Sequence, residues 1–165
     1  MVDEAKRDLK FTQAGPGDWP ALALVRAQAE QTMEKSGLYT RAQLDIGVAQ
    51  LQYRWERDAM WLARDGRRVV GAIGLDGPDT RFWDDNAPAL YLYKVMAVPG
   101  LGVGPRLVEF AETQARERGL RLLRLDCLRG NPGLHAWWKS QGFQHIRTAA
   151  VAGYGAGALF EKEIG

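Results

Sequence analysis

The stretch Val95-Met96-Ala97-Val98-Pro99-Gly100-Leu101-Gly102-Val103-Gly104-Pro105-Arg106-Leu107 decides how the rest of the chain is read. Apolar, strand-forming residues end at a proline, pass through glycines at alternate positions and open a helix. The helix continues through Leu107, Val108, Phe110, Ala111 and Ala115. Glycines let backbone N–H groups converge on a small anion, and a helix N-terminus adds a favourable field. The stretch therefore reads as a phosphate or pyrophosphate cradle. Two other spellings fail. A dinucleotide fingerprint needs Gly-x-Gly-x-x-Gly, and counting from Gly100 puts Pro105 at the third glycine. A nucleotide P-loop needs Gly-Lys-Ser/Thr, which is absent.

Working outward, Leu9 to Ala14 predicts a short strand. A helix follows from Asp18 as N-cap with Pro20 in its first turn, runs past Met33 and stops at Ser36-Gly37. Arg41 to Trp55 predicts a second helix, with Leu44, Val48, Leu51 and Trp55 on its apolar face. Ala59–Ala63 and Val69–Leu75 read as strands joined by an Asp65-Gly66 turn. A polar loop covers Asp76 to Pro88, and a long strand runs from Ala89 to Val98. After the Gly100–Gly104 loop and its helix, closed by Gly119, come a strand at Leu122–Leu128 and a helix at Asn131–Gln141. Strands at Phe143–Val151 and Ala158–Ile164 complete the chain. Hairpins come first and a strand–helix–strand crossover later. This order implies a mixed α/β fold, mostly antiparallel, with one parallel pair.

The chain has 165 residues, enough for one domain with a real core, here taken as 1–165. A composition of 46% hydrophobic and 25% charged residues excludes a disordered or fibrous chain. Basic residues number 22 and acidic ones 20, which gives no argument for nucleic acid or a membrane surface. With Cys127 the lone cysteine and His135 and His145 the lone histidines, neither an internal disulfide nor a structural metal is expected. The acidic start, Met1-Val2-Asp3-Glu4, is unlike a signal region. No apolar run approaches the ~20 residues that cross a bilayer. The expectation is a soluble, cytoplasmic protein.

A second motif, Asn131-Pro132-Gly133-Leu134-His135-Ala136-Trp137-Trp138-Lys139-Ser140-Gln141-Gly142-Phe143, follows the strand after the glycine-loop helix. Together the two resemble the GNAT N-acetyltransferase superfamily. That family carries Gln/Arg-x-x-Gly-x-Gly/Ala after its fourth strand, where this chain has Pro99-Gly100-Leu101-Gly102-Val103-Gly104. It often carries Asn-x-x-Ala-x-x-x-Tyr-x-x-x-Gly-Phe after its fifth, matched here by Asn131, Leu134, Trp138, Gly142 and Phe143 at those spacings. The resemblance implies a sheet with helices on both faces and two parallel strands that splay into a V. It implies acetyl-CoA as cosubstrate and no metal. The pyrophosphate is expected on the N–H groups of Gly100, Leu101, Gly102, Val103 and Gly104. The pantetheine arm is expected along Met96 to Val98, with Asn131 facing it. A backbone N–H near Val98 is expected to receive the thioester carbonyl.

Three departures shape these expectations. Pro99 replaces the usual Gln or Arg, which leaves Arg106 as the nearby charge. The loop is short. Trp138 stands where many relatives have a tyrosine that protonates the departing thiolate. An indole cannot do so, but a thiol of pKa about 8.5 leaves tolerably near neutral pH without help. Nor does Tyr91–Val98 hold the glutamate that relatives often use as base. Asp126 is the leading candidate, as a strand carboxylate with a raised pKa that recognises a cationic amine. Tyr154 is a candidate acid from the last hairpin.

Weaker signals are set aside. Cys127, His135 and Asp126 make a triad on paper, but no signature motif supports it. The arginines around Arg116 to Arg129 alternate with carboxylates and read as solvated surface. Trp83, Trp137 and Trp138 are read as either core or lining of the acceptor side. The expected partner is a small-molecule amine, without nucleic acid or membrane, and a homodimer is compatible. Two alternatives stay open: a GNAT-like domain that binds CoA or another small ligand without transfer, and an enzyme acting on a protein or peptide amine.

Overall fold

The computed structural model describes residues 7–151 and 155–165. Within them a single sheet contains β1 (Leu9–Gln13), β2 (Met60–Asp65), β3 (Arg68–Asp76), β4 (Leu90–Ala97), β5 (Leu122–Leu128), β6 (Gln144–Val151) and β7 (Gly155–Glu163). The helices are α1 (Trp19–Ser36), α2 (Arg41–Glu56), α3 (Val103–Glu117) and α4 (Pro132–Ser140). The strand order is β1-β2-β3-β4-β5-β7-β6. Every described pair is antiparallel except β4 with β5. This is the mixed sheet with one parallel pair that the element order predicts.

Alternation along the strands gives the sheet two apolar faces. Met60, Leu62, Ala72 and Met96 pack against Leu22, Val25 and Leu51 of α1 and α2. On the opposite face Ala63, Val70, Ile73 and Leu75 meet Val103, Leu107, Val108 and Ala111 of α3. Leu22, Leu51 and Leu107 have no exposed surface, and each such burial contributes about 2 kcal/mol. Thr40 starts α2 with a reciprocal cap: its Oγ1 accepts from Gln43 N at 3.1 Å, and Gln43 Oε1 accepts from Thr40 N at 2.9 Å. Asp18 sits at the N-cap of α1 but does not cap it. Its Oδ2 accepts from Gly15 N at 2.8 Å and its Oδ1 pairs with Arg64 at 3.1 Å, so it closes the preceding turn instead.

Two features of the β3–β4 region position the site. Gly71 lets α3 settle directly onto the sheet: a Cβ there would lie 2.8 Å from Val103 Cγ1 and 2.9 Å from the Met96 carbonyl. On β4, Lys94 and Val95 together face Ile73, because pairing shifts from Tyr93–Gly74 to Met96–Ala72. Lys94 has φ 50°, a left-handed conformation that costs a lysine roughly 1–2 kcal/mol. Such a bulge bends its strand, and β4 leaves β5 just before it.

The polar loop is less independent than its composition suggests. Phe82, Trp83 and Ala89 pack against Tyr91 and Leu159. Arg124 departs from the expected solvated surface: it is only 4% exposed. Its Nε donates to Glu161 at 2.8 Å and its Nη2 to Asp85 at 3.0 Å, under the Trp83 ring at 4.1 Å. It therefore fastens the loop to β5 and β7.

Candidate active site

β4 and β5 pair at Leu90–Leu123 and Tyr91–Arg124 and no further. Beyond that point their facing edges are unbonded, and a gap opens between two cavities. On one side lies a small hollow of about 270 Å³ lined by Val95, Ala97, Val98, the glycine turn, Trp137 and Trp138. On the other lies a larger cavity of about 900 Å³ between α1–α2, the start of the polar loop, β4 and β5.

The small hollow is built for an anion with an apolar tail. Gly100 and Gly102 have φ 81° and 68°, and these two left-handed steps turn the chain into α3. Helix α3 starts at Val103 with Gly102 as N-cap, so Val103 and Gly104 belong to its first turn and not to a loop. The N–H groups of Gly102, Val103 and Gly104 have no partner within the helix. Pro105 occupies the next position, where a missing N–H costs nothing. A Cβ on Gly104 would sit 2.9 Å from Trp137 Cζ2, so the glycine keeps the hollow's floor open. These residues fit the diphosphate and arm expected of CoA.

Several expected contacts are placed differently. Val98 lines the hollow, but its N–H donates to Val70 O at 2.8 Å and is not free for a carbonyl. Successive N–H groups alternate between strand edges, so the donor pointing into the gap is Ala97 N–H. Met96 turns its side chain to the α1–α2 core, while Val95 and Ala97 line the hollow. Leu101 packs against the main core. Arg106 Nη1 donates to Arg7 O at 2.8 Å and its Nε lies 3.4 Å from Glu109, so its charge is turned away. Trp138 is buried against Trp137 and Phe143, with ring centroids at 4.7 and 5.0 Å. Asn131 Oδ1 caps α4 by accepting from Leu134 N at 3.1 Å, and its Nδ2 donates to Tyr39 Oη at 3.2 Å.

The large cavity holds the titratable groups. Asp126 lines it from β5. Burial, then repulsion from Asp79, raise its pKa to about 6, against the pull of Lys94. Lys94 lines it from β4. Burial, then the nearby Arg26, lower its pKa to about 8, against the pull of Asp126. Lys94 Nζ donates to Gln50 Oε1 at 2.6 Å. Cys127 also faces the cavity, but burial and the neighbouring Asp126 push its thiol up to about 12, too high for a nucleophile. His135 is engaged elsewhere: its Nε2 lies 2.9 Å from Leu128 O and its ring packs on Phe160. Tyr154 lies outside the described residues. No tryptophan lines this cavity: Trp83 covers Arg124, and Trp137 and Trp138 belong to the small hollow. Lys94, like Arg26 and Gln50 in the same lining, is a residue that sequence reasoning passes over. Its signal is a single charge within the otherwise apolar Tyr91–Val98 run.

Residues 25–143 match the model of the acetyltransferase (GNAT) family. The chain belongs to the GNAT family. A curated relative, the uncharacterized N-acetyltransferase YesJ of Bacillus subtilis, is 31% identical over 91 residues, covering 52% of this chain and 48% of its own. The chain thus matches about half the length of that relative. Among solved structures, a GNAT-family acetyltransferase from Listeria monocytogenes superposes with TM-score 0.78 at 22% identity, covering 94% of this chain and 95% of that one. The PaiA N-acetyltransferase of Thermoplasma acidophilum, solved in complex with coenzyme A, gives TM-score 0.69 at 17% identity over 94% and 98% of the two chains. At these identities the structures establish the shared GNAT fold. Among the described residues, no helix is long and apolar enough to cross a membrane.

Proposed function

We propose that the protein transfers an acetyl group from acetyl-CoA to the amine of a small molecule. The observation that carries this reading is the gap between β4 and β5, which lies between a glycine-floored hollow and a charged cavity. Acetyl-CoA supplies an activated acetyl thioester. The chain's own groups do the rest. N–H groups of Gly102, Val103 and Gly104 bind the diphosphate, where the α3 dipole favours negative charge. The unpaired β4 edge from Val95 to Val98 orients the arm, and Ala97 N–H polarises the thioester carbonyl. Asp126 attracts the acceptor's ammonium and takes its proton, so that a neutral amine attacks the thioester carbon, the C–S bond breaks and CoA leaves as the thiolate. A volume of about 900 Å³ suits a small-molecule acceptor.

Calorimetric titration with acetyl-CoA, beside desulfo-CoA and a nucleotide lacking the pantetheine arm, tests the donor half. Saturable micromolar binding that needs the arm is expected. Absence of binding at millimolar donor overturns the assignment. An amine panel with detection of released thiol then tests transfer, and a matched panel of peptides separates a peptide acceptor from a small one.

A further inference from the structure

Resting on that reading of the large cavity as the acceptor side, we propose that the acceptor is an amine that also carries a carboxylate. Its acid group is held by Arg26 and Lys94, and its ammonium end lies at Asp126.

Five basic side chains line the cavity against three carboxylates. Asp76 pairs with both Arg54 and Arg57, which leaves one positive charge at that cluster, and Asp79 pairs with Arg81. Apart from these stand Arg26 and Lys94 on one wall and Asp126 on the other. Arg26 is only 6% exposed. Its nearest carboxylate is Glu30 at 3.9 Å, and Glu30 is already held by Arg41. Arg26 Nη2 donates to Leu44 O at 3.2 Å, while its Nε is buried without a hydrogen-bond partner. Room for this guanidinium is made by Gly47, where a Cβ would lie 2.6 Å from Nη2.

Gln50, one turn further along α2, takes one hydrogen bond from the Lys94 ammonium. That group has three N–H donors. The strongest charge acting on Lys94 is Arg26, and it repels. Two like charges on a wall shielded from water are unfavourable unless an anion joins them. A carboxylate accepts from both at once.

Asp126 has the complementary surplus. Among the described residues its carboxylate accepts no hydrogen bond. It lies two residues past Arg124, and Lys94 lies three past Tyr91, the last paired positions of β5 and β4. The two charges therefore face each other where the strands part. A zwitterion matches this arrangement. A polyamine presents its second cation to Arg26 and Lys94 and is repelled.

The test uses the full chain with acetyl-CoA and the twenty common α-amino acids, each beside its carboxamide, with spermidine as a cationic control. Released thiol gives kcat/KM, and calorimetry gives acceptor binding independently of transfer. The best acid should exceed its carboxamide at least tenfold. Lys94→Met should remove that preference by raising KM for the acid, and Lys94→Arg should restore part of it. Equal use of acid and carboxamide, or a preference for spermidine, overturns the inference while leaving acetyl transfer intact. If no amine is acetylated but an amino acid binds and its carboxamide does not, the acid subsite stands and the transferase reading fails. If no carboxylate-bearing ligand binds, the subsite itself is refuted.

Discussion

Replacing Asp126 by asparagine keeps the size of the side chain and removes its charge. In the wild type the Asp126 carboxyl titrates at about 6 and the Lys94 ammonium at about 8. Between those values Asp126 is charged and Lys94 is still protonated. With a carboxylate-bearing acceptor, kcat/KM should therefore be bell-shaped, with limbs near pH 6 and pH 8. One unit below the lower limb only about a tenth of Asp126 is ionised, so the rate should be about tenfold below its plateau. Asp126→Asn should lower the plateau by about 10²–10⁴, the usual contribution of a positioned base. It should also abolish the lower limb and move the upper one to lower pH, because the Asp126 charge helps Lys94 keep its proton. Stopped thiol release from pH 5 to 9.5, on both proteins, measures all three effects. A variant within threefold of wild type that keeps its limb near pH 6 would refute the role given to Asp126.

Lys94→Met should raise thermal stability at pH 7 by about 1–3 kcal/mol, several degrees, by removing a desolvated charge. Lys94 loses its proton at about 8 in the fold against 10.5 ordinarily. Wild-type stability should thus rise between those values, and melts at pH 7 and pH 10 should show the gap to the variant narrowing. Gly71→Ala, with its Cβ forced against Val103 and the Met96 carbonyl, should cost about 1–3 kcal/mol in urea unfolding. It should also weaken acetyl-CoA binding, since α3 can relieve the clash only by lifting its N-terminus. Arg124→Met should lower stability in urea unfolding, chiefly by leaving the half-buried Glu161 without its partner, since Asp85 is already exposed to solvent. Amide exchange should then quicken across residues 77–89, with calorimetric donor affinity unchanged.

The fold was largely legible because its signals are local. Gly37 and Gly119 terminate helices with positive φ, Asp65-Gly66 turns the β2–β3 hairpin, and Leu122–Leu128 is bounded as its apolar run suggests. The glycine turn was legible for the same reason, since a strand, its glycines and its helix are contiguous in sequence. The lining of the large cavity was not. Arg26, Gln50, Lys94 and Asp126 come from four elements, and only the β4–β5 divergence makes them neighbours. Two details need the structure. Edge alternation turns the N–H of Ala97, beside Val98, towards the gap. The Arg106 guanidinium donates to the Arg7 carbonyl.

The extra residue at Lys94 also resets the parity of β4. Before it, even-numbered Leu90 and Leu92 face the α3 core; after it, odd-numbered Val95 and Ala97 do, and even-numbered Met96 faces α1 and α2. Without the insertion, either the lysine or the donor-facing residues would have to stand on the wrong side of the sheet. One strand thus carries two independent side-chain alphabets, one presented to the large cavity and one to the small hollow. Substitutions that retune the acceptor before the insertion can leave the donor surface after it untouched. Deleting Val95 would restore one-to-one pairing: Met96 would stay opposite Ala72, while Lys94 would stand opposite Ile73 and turn to the α3 side, taking its charge out of the large cavity.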